Sequence, residues 1–250
     1  MRSEIFRQYD SRWGSLAYPS KPYTMKSSGC GCCACTHLII EKDEYAHYTP
    51  KDVRPYMLKQ GFATKGNGTL WSGMTKTLEH YGFDVKRPNI SVSMSAAWTE
   101  LNKGNRAGIL LLKAGTRGSV TWTSGGHYVA FLDYKVENGK HYFYIKDSGA
   151  RKNDGWFCYE DTMRGLLPQI WVVELPEKKP GKYYTVGETY TLQANMNIRT
   201  GASSTKYRKV GVLKKGTKIK CLQTSKNGKW IRYGQYRWVC GRGTTKVYIK

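Results

Sequence analysis

The chain has 250 residues, with 41 Lys and Arg against 18 Asp and Glu for a net charge of +23. That length exceeds a usual single core of about 100–150 residues and accommodates one medium and one small domain. No segment is long enough to cross a membrane, which takes ~20 consecutive apolar residues, and a strand-like run such as Gly108-Ile109-Leu110-Leu111-Leu112 falls far short.

In chain order, Met1-Arg2-Ser3-Glu4-Ile5 carries no apolar signal core. The expectation is a protein made in the cytoplasm and exported only with help from a partner. Ser28-Gly29-Cys30-Gly31 then opens a run of small and apolar residues that reaches Lys42 and reads as a buried helix with Cys30 in its first turn. Free N–H groups and the helix dipole at that end favour a thiolate, the nucleophilic form of cysteine. Cys30, Cys32, Cys33 and Cys35 do not read as a metal site. Successive helical side chains point about 100° apart, so four thiols in one short stretch cannot converge on a tetrahedral ion. Cys32, Cys33 and Cys35 are expected to pack behind the nucleophile, with no metal or cofactor required.

Helical stretches follow around Leu70 to Tyr81 and Met94 to Asn102, with strands from Gly108 onward, an α+β pattern. Gly125-Gly126-His127 leads into the strand candidate Val129 to Tyr134, and His141 to Lys146 forms the next strand before Asp147-Ser148-Gly149. The intervening Glu137-Asn138-Gly139-Lys140 contains Asn-Gly, the favoured hairpin dipeptide. An antiparallel hairpin brings its open ends together, so His127 and Asp147 become neighbours. A thiol, an imidazole that takes its proton and a carboxylate that orients the imidazole make a nucleophilic site. Asp133 and Asp154 compete with Asp147 for the orienting role. His37, His47, His80 and His141 read as structural or surface residues.

The stretch Leu175-Pro176-Glu177-Lys178-Lys179-Pro180-Gly181-Lys182 has almost nothing to bury and marks a boundary. The expected division is 1–175, a linker at 176–182 and 183–250. Beyond it, short alternating segments separated by glycine-containing turns argue a small β-barrel. Trp230 and Trp238 are expected to fill its core, with Tyr233 and Tyr236 as groove or core residues. From Tyr183 onward fifteen Lys and Arg face Glu188 alone. Such a surface attracts polyanions. Nucleic acid is not expected as the partner, because no recognition helix, zinc finger or paired RNP aromatics are present. Cys221 and Cys240 lie on neighbouring strand candidates. They are a candidate pair in an oxidising compartment, whereas cytoplasmic origin argues for reduced thiols.

The first part resembles the C39-like branch of the papain-like cysteine peptidases. The resemblance covers roughly residues 5–175 and rests on Gln8, the Gly-Cys-Gly around Cys30, the Gly-His at His127 and the hairpin Asp147. It implies an α+β papain-like fold, the catalytic set Cys30, His127 and Asp147, and an oxyanion-stabilising role for Gln8. The chain departs from the family in having Cys32-Cys33 after Gly31, where Pro-Thr or Pro-Ala is usual, and Asp147-Ser148 in place of Asp-Pro. The second part resembles a bacterial SH3 domain, through Asn197-Ile198-Arg199-Thr200-Gly201-Ala202-Ser203, Leu213 to Thr217 and Trp238-Val239. That resemblance implies binding to bacterial cell-wall material.

Together they imply a peptidoglycan hydrolase of the phage endolysin or autolysin kind, made in the host cytoplasm and acting at the wall. Its expected partners are Gram-positive peptidoglycan and anionic wall polymers. The alternatives are a C39-type peptidase acting on protein leader sequences, and a non-catalytic wall-binding protein.

Overall fold

The computed structural model describes residues 5–42, 48–149, 153–176, 183–225, 227–243 and 247–250. The N-terminal Met1 to Glu4, His47 and all of the expected linker 176–182 except Pro176 lie outside them. The chain divides into two compact units, one formed by Ile5–Lys42 with Tyr48–Pro176, the other by the C-terminal part.

In the first unit a short helix, α1 (Met25–Ser28), leads through Gly29 into α2 (Cys30–Lys42). Its Cys, Gly, Ala, Thr and Ile residues give α2 no polar face, and ten successive residues from Cys30 to Ile39 are buried. Next come α3 (Pro50–Lys59), β1 (Ala63–Thr64), β2 (Gly68–Thr69), α4 (Trp71–His80), β3 (Val85–Lys86) and α5 (Ser95–Leu101). The sequence pattern places α4 and α5 but not α3. Thr49 caps α3 reciprocally with Asp52 and Pro50 stands in its first turn, both strong start signals. Pro55, inside the helix, disguises it by reading as a breaker.

The remaining elements are β4 (Arg106–Leu112), β5 (Gly115–Arg117), β6 (Val120–Thr123), β7 (His127–Glu137), β8 (Lys140–Lys146), β9 (Gly155–Cys158), α6 (Tyr159–Thr162) and β10 (Gln169–Glu174). Six of the strands form an antiparallel sheet in the order β3-β10-β4-β7-β8-β9. Side chains alternate across it. Ala107, Ile109, Tyr128, Ala130, Trp171 and Val173 join the core that contains α2. Leu110, Leu112, Val129, Phe131, Ile170 and Val172 join a second core with Ala97 and Leu101 of α5. The sheet is thus covered on both faces. The expected turn closes the β7–β8 hairpin, with Asn138 and Gly139 both at positive φ, 52° and 71°.

The second unit contains β11 (Thr189–Thr191), β12 (Met196–Arg199), β13 (Lys209–Leu213), β14 (Lys218–Lys220), β15 (Gln223–Thr224), β16 (Trp230–Gly234) and β17 (Arg237–Cys240). In place of the closed barrel expected, the described residues form a two-stranded sheet, β11-β14, and a five-stranded sheet, β13-β12-β17-β16-β15. Leu192, Met196, Ile219, Cys221, Ile231, Val239 and Ile249 share one core. Trp230 and Trp238 are buried as expected, but not in that cluster. Register pairs Trp238 with Arg199 on one side and Arg232 on the other, placing it on the sheet face opposite Ile231 and Val239. Cys221 and Cys240 are free thiols.

Candidate active site

The α2 helix packs on β7, which brings Cys30, its first residue, to His127, the first residue of β7. Close approach depends on Gly31. A Cβ there would lie 2.5 Å from Thr69 Oγ1 and 2.9 Å from Met74 Sδ, so only glycine fits against β2 and α4. His127 bonds through Nε2 to Asp147 Oδ1 at 2.7 Å and lies close enough to Cys30 for its ring and charge to act on the thiol. With Nε2 committed to the carboxylate, Nδ1 is the nitrogen left to exchange a proton with the thiol. Asp147 is fully buried and Cys30 and His127 nearly so.

The electrostatics follow from this arrangement. Burial pushes the Cys30 thiol up, but the hydrogen bond and charge of His127, with backbone N–H groups of Tyr128 and Gly31, outweigh it and leave the pKa below the ordinary value. Burial alone disfavours a charged imidazole, yet Asp147 and Cys30 hold the His127 pKa well above its usual range. Burial likewise raises Asp147, and His127 and the Gly149 N–H more than offset it. The three groups therefore favour a thiolate–imidazolium pair backed by a carboxylate. Cys32, Cys33 and Cys35 differ sharply from Cys30. Burial raises all three thiols, and Cys32 Sγ points at the Pro50 carbonyl, 3.4 Å away. They are protonated packing groups.

Of Asp133, Asp147 and Asp154, it is Asp147 that bonds to the imidazole. Asp133 Oδ1 accepts the N–H of its neighbour Tyr134 at 2.9 Å. Asp154 acts behind Asp147: its Oδ1 accepts the Asp147 backbone N–H at 3.0 Å, while Arg7 bonds to both the Asp154 carboxylate and the Asp147 carbonyl. Gly149 donates its N–H to Asp147 Oδ1 at 2.6 Å. A Cβ on Gly149 would lie 2.9 Å from that oxygen and 3.0 Å from His127 Nε2. Arg7 and Gly149 escape a reading of the sequence because their partners are backbone atoms or are set by packing.

Gln8 is tied to the same loop, its N–H donating to Ser148 O at 2.9 Å. Its side-chain amide donates to Lys26 O at 2.6 Å. The amide carries two hydrogens, so one donor remains for a ligand. No hydrogen bond joins Gln8 to Cys30. His37 is buried, accepts the Phe6 N–H at 3.2 Å and is driven down to about 3 by burial, a neutral structural histidine.

No protein-family model matches the chain, and no curated protein matches it by sequence. Among solved structures it is similar to the peptidase domain of Streptococcus ComA, a bifunctional ABC transporter, at 14% identity and TM-score 0.39 over 59% of this chain and 91% of that one. It is also similar to a putative C39-like peptidase from Bacillus anthracis, at 13% identity and TM-score 0.39 over 61% and 91%. Ly7917, solved with a hydrolysis product of MDP, shows 13% identity and TM-score 0.27 over 88% and 97%. At these distances, what the site can do is decided by its own geometry. No helix among the described residues is long and apolar enough to cross a membrane.

Proposed function

We propose that the chain is a cysteine peptidase or amidase that cleaves an amide bond of bacterial cell-wall peptide, an endolysin-type hydrolase. The observation that carries the chemistry is the His127 imidazole bonded to Asp147 at 2.7 Å and coupled to the Cys30 thiol, whose pKa it lowers. His127 takes the Cys30 proton, and the thiolate attacks the amide carbonyl carbon. Asp147 holds the ring orientation and stabilises the imidazolium. Cys30 begins α2, where backbone N–H groups lack helical acceptors, so its own N–H and the remaining Gln8 amide hydrogen are the candidate donors to the oxyanion. Imidazolium then protonates the leaving amine as the C–N bond breaks. Water, deprotonated by His127, hydrolyses the thioester and releases the carboxylate product and free Cys30.

Wall material as substrate is supported by the second unit. Its sequence is similar to bacterial SH3 modules, and its fifteen basic residues against one acidic residue suit the phosphate-bearing polymers of a Gram-positive wall. The test is digestion of isolated Gram-positive sacculi by the chain and by Cys30→Ala, with mass spectrometry of the released fragments. New amino and carboxyl ends from the unaltered chain alone are expected, and their identity names the bond. Equal release by both proteins would remove Cys30 from the mechanism.

A further inference from the structure

The nucleophile lies at the inner end of an aromatic path to the surface. The backbone of Tyr128, next to His127, helps to lower the Cys30 pKa, and its hydroxyl donates to the Thr69 carbonyl at 2.9 Å. Its ring is 5.7 Å from that of Trp171, which meets Trp71 edge-on at 6.4 Å and 90°. Tyr128 and Trp171 are buried, whereas Trp71 is 43% exposed.

A cation caps the outer end. The Arg87 guanidinium lies 5.1 Å over the Trp71 ring and 5.6 Å from that of Trp171. Arg87 is exposed, and among the described residues no carboxylate pairs with it. Its charge also reaches the path: burial raises the Tyr128 phenol, and Arg87 pulls in the opposite direction. A guanidinium held over an aromatic ring keeps its N–H donors, and their fork matches a carboxylate. An arginine held in place by two indoles loses little freedom when it binds.

We propose that Arg87, seated on Trp71 and Trp171, receives a carboxylate of the peptide substrate, while the exposed part of Trp71 contacts the adjoining apolar portion of the same segment. This specificity assignment rests on the reading of Cys30 as a peptide-cleaving nucleophile.

The test uses the full chain and two synthetic probes, L-Ala-D-isoGlu-L-Lys-D-Ala with free carboxyl groups and the same peptide with both carboxyls amidated. Each is measured for protection of Cys30 against iodoacetamide. The acidic peptide is expected to protect at about tenfold lower concentration than the amide, the scale of one charge-assisted contact. Arg87→Ala should lose this preference and Arg87→Lys recover part of it, because lysine keeps the charge without the fork. Trp71→Ala should weaken protection by both peptides, and Trp71→Phe should restore it. Equal protection by the two peptides, no protection by either, or an undiminished preference in Arg87→Ala would overturn the proposal. Sacculi left undigested by the unaltered chain would instead overturn the wall-hydrolase reading, leaving the acid preference at Cys30 as an independent result.

Discussion

Asp154 holds the backbone of Asp147, its Oδ1 accepting the Asp147 N–H at 3.0 Å. Arg7 ties Asp154 and the Asp147 carbonyl together from the other side. The carboxylate that orients the imidazole is therefore positioned by a second carboxylate that does not itself touch His127. Asp154→Ala is expected to lower the rate of wall-peptide cleavage about tenfold or more, since small displacements of a catalytic group carry costs of this order. Because Asp147 would hold His127 less well, the pH at which Cys30 becomes reactive to iodoacetamide should rise in the same variant. Asp154→Asn keeps an acceptor for the Asp147 N–H and should recover part of both effects. An alkylation profile identical to the unaltered chain would reduce Asp154 to a merely structural role.

The opposed shifts of Cys30 and His127 set a pH window. Cys30 is lowered from its ordinary 9.0 and His127 raised above 6.5, so the ion pair persists between the two displaced values. Activity should rise on the acid limb as the thiolate forms and fall on the alkaline limb as the imidazolium loses its proton. Both limbs report the pair, not either residue alone. In His127→Ala burial remains while the opposing hydrogen bond and charge are gone, so alkylation of Cys30 should begin only at pH above that of a free thiol. Asp147→Asn removes the carboxylate that raises His127, and its alkaline limb should move to lower pH. Iodoacetamide rates across pH decide the thiolate limb, and peptide-cleavage rates carried above the raised His127 pKa decide the alkaline one; a Cys30 profile indifferent to His127→Ala would contradict the assigned pairing.

Gly31 is a stability position as well as part of the site. A Cβ placed 2.5 Å from Thr69 Oγ1 and 2.8 Å from Thr69 Cβ must push β2 away from α2. Overpacking of this kind costs about 1–3 kcal/mol. Gly31→Ala should accordingly lower the Tm of the first unit by about 2–4 °C per kcal/mol lost. Adding Thr69→Ala removes the nearest atom, and calorimetry should find the double variant less destabilised than the sum of the two single ones. Strict additivity would mean that the two positions do not press on each other.

The site was legible where local pattern determined it. Cys30 announces itself as the head of a run with no polar face, and Asn138-Gly139 fixes a hairpin that must return the chain near His127. Asp147 and Asp154 both follow β8, and pattern does not encode which carboxylate faces a ring nitrogen and which faces a backbone N–H. The path from Tyr128 through Trp171 to Trp71 was hidden for a different reason: its members come from β7, β10 and α4, and only the antiparallel order of the sheet and the packing of α4 collect them. In the second unit, period-two alternation gave the strands, but whether a ladder closes depends on edge pairings that alternation does not encode.

The basic second unit yields a prediction about the wall. On β14, Lys218 and Lys220 are exposed while Ile219 between them is buried, so both ammonium groups stand on one face. Register places them opposite Thr191 and Thr189 of β11, neither of which can neutralise them. Attraction of such lysines to a polyanion is exposed to solvent ions and decays as the Debye length shrinks from about 10 Å at 0.1 M salt to about 3 Å at 1 M. Using Cys30→Ala so that the sacculi stay whole, the fraction of protein sedimenting with them should fall across that salt range. Lys218→Glu with Lys220→Glu should weaken sedimentation at low salt and flatten its salt dependence, because fewer counterions are then released on binding. Sacculi stripped of their phosphate polymers should retain less of the parent protein, and the charge-reversed variant should distinguish less between stripped and unstripped walls. Binding that ignores salt, stripping and charge reversal alike would assign wall recognition to neutral contacts, with the positive charge of this unit serving some other purpose.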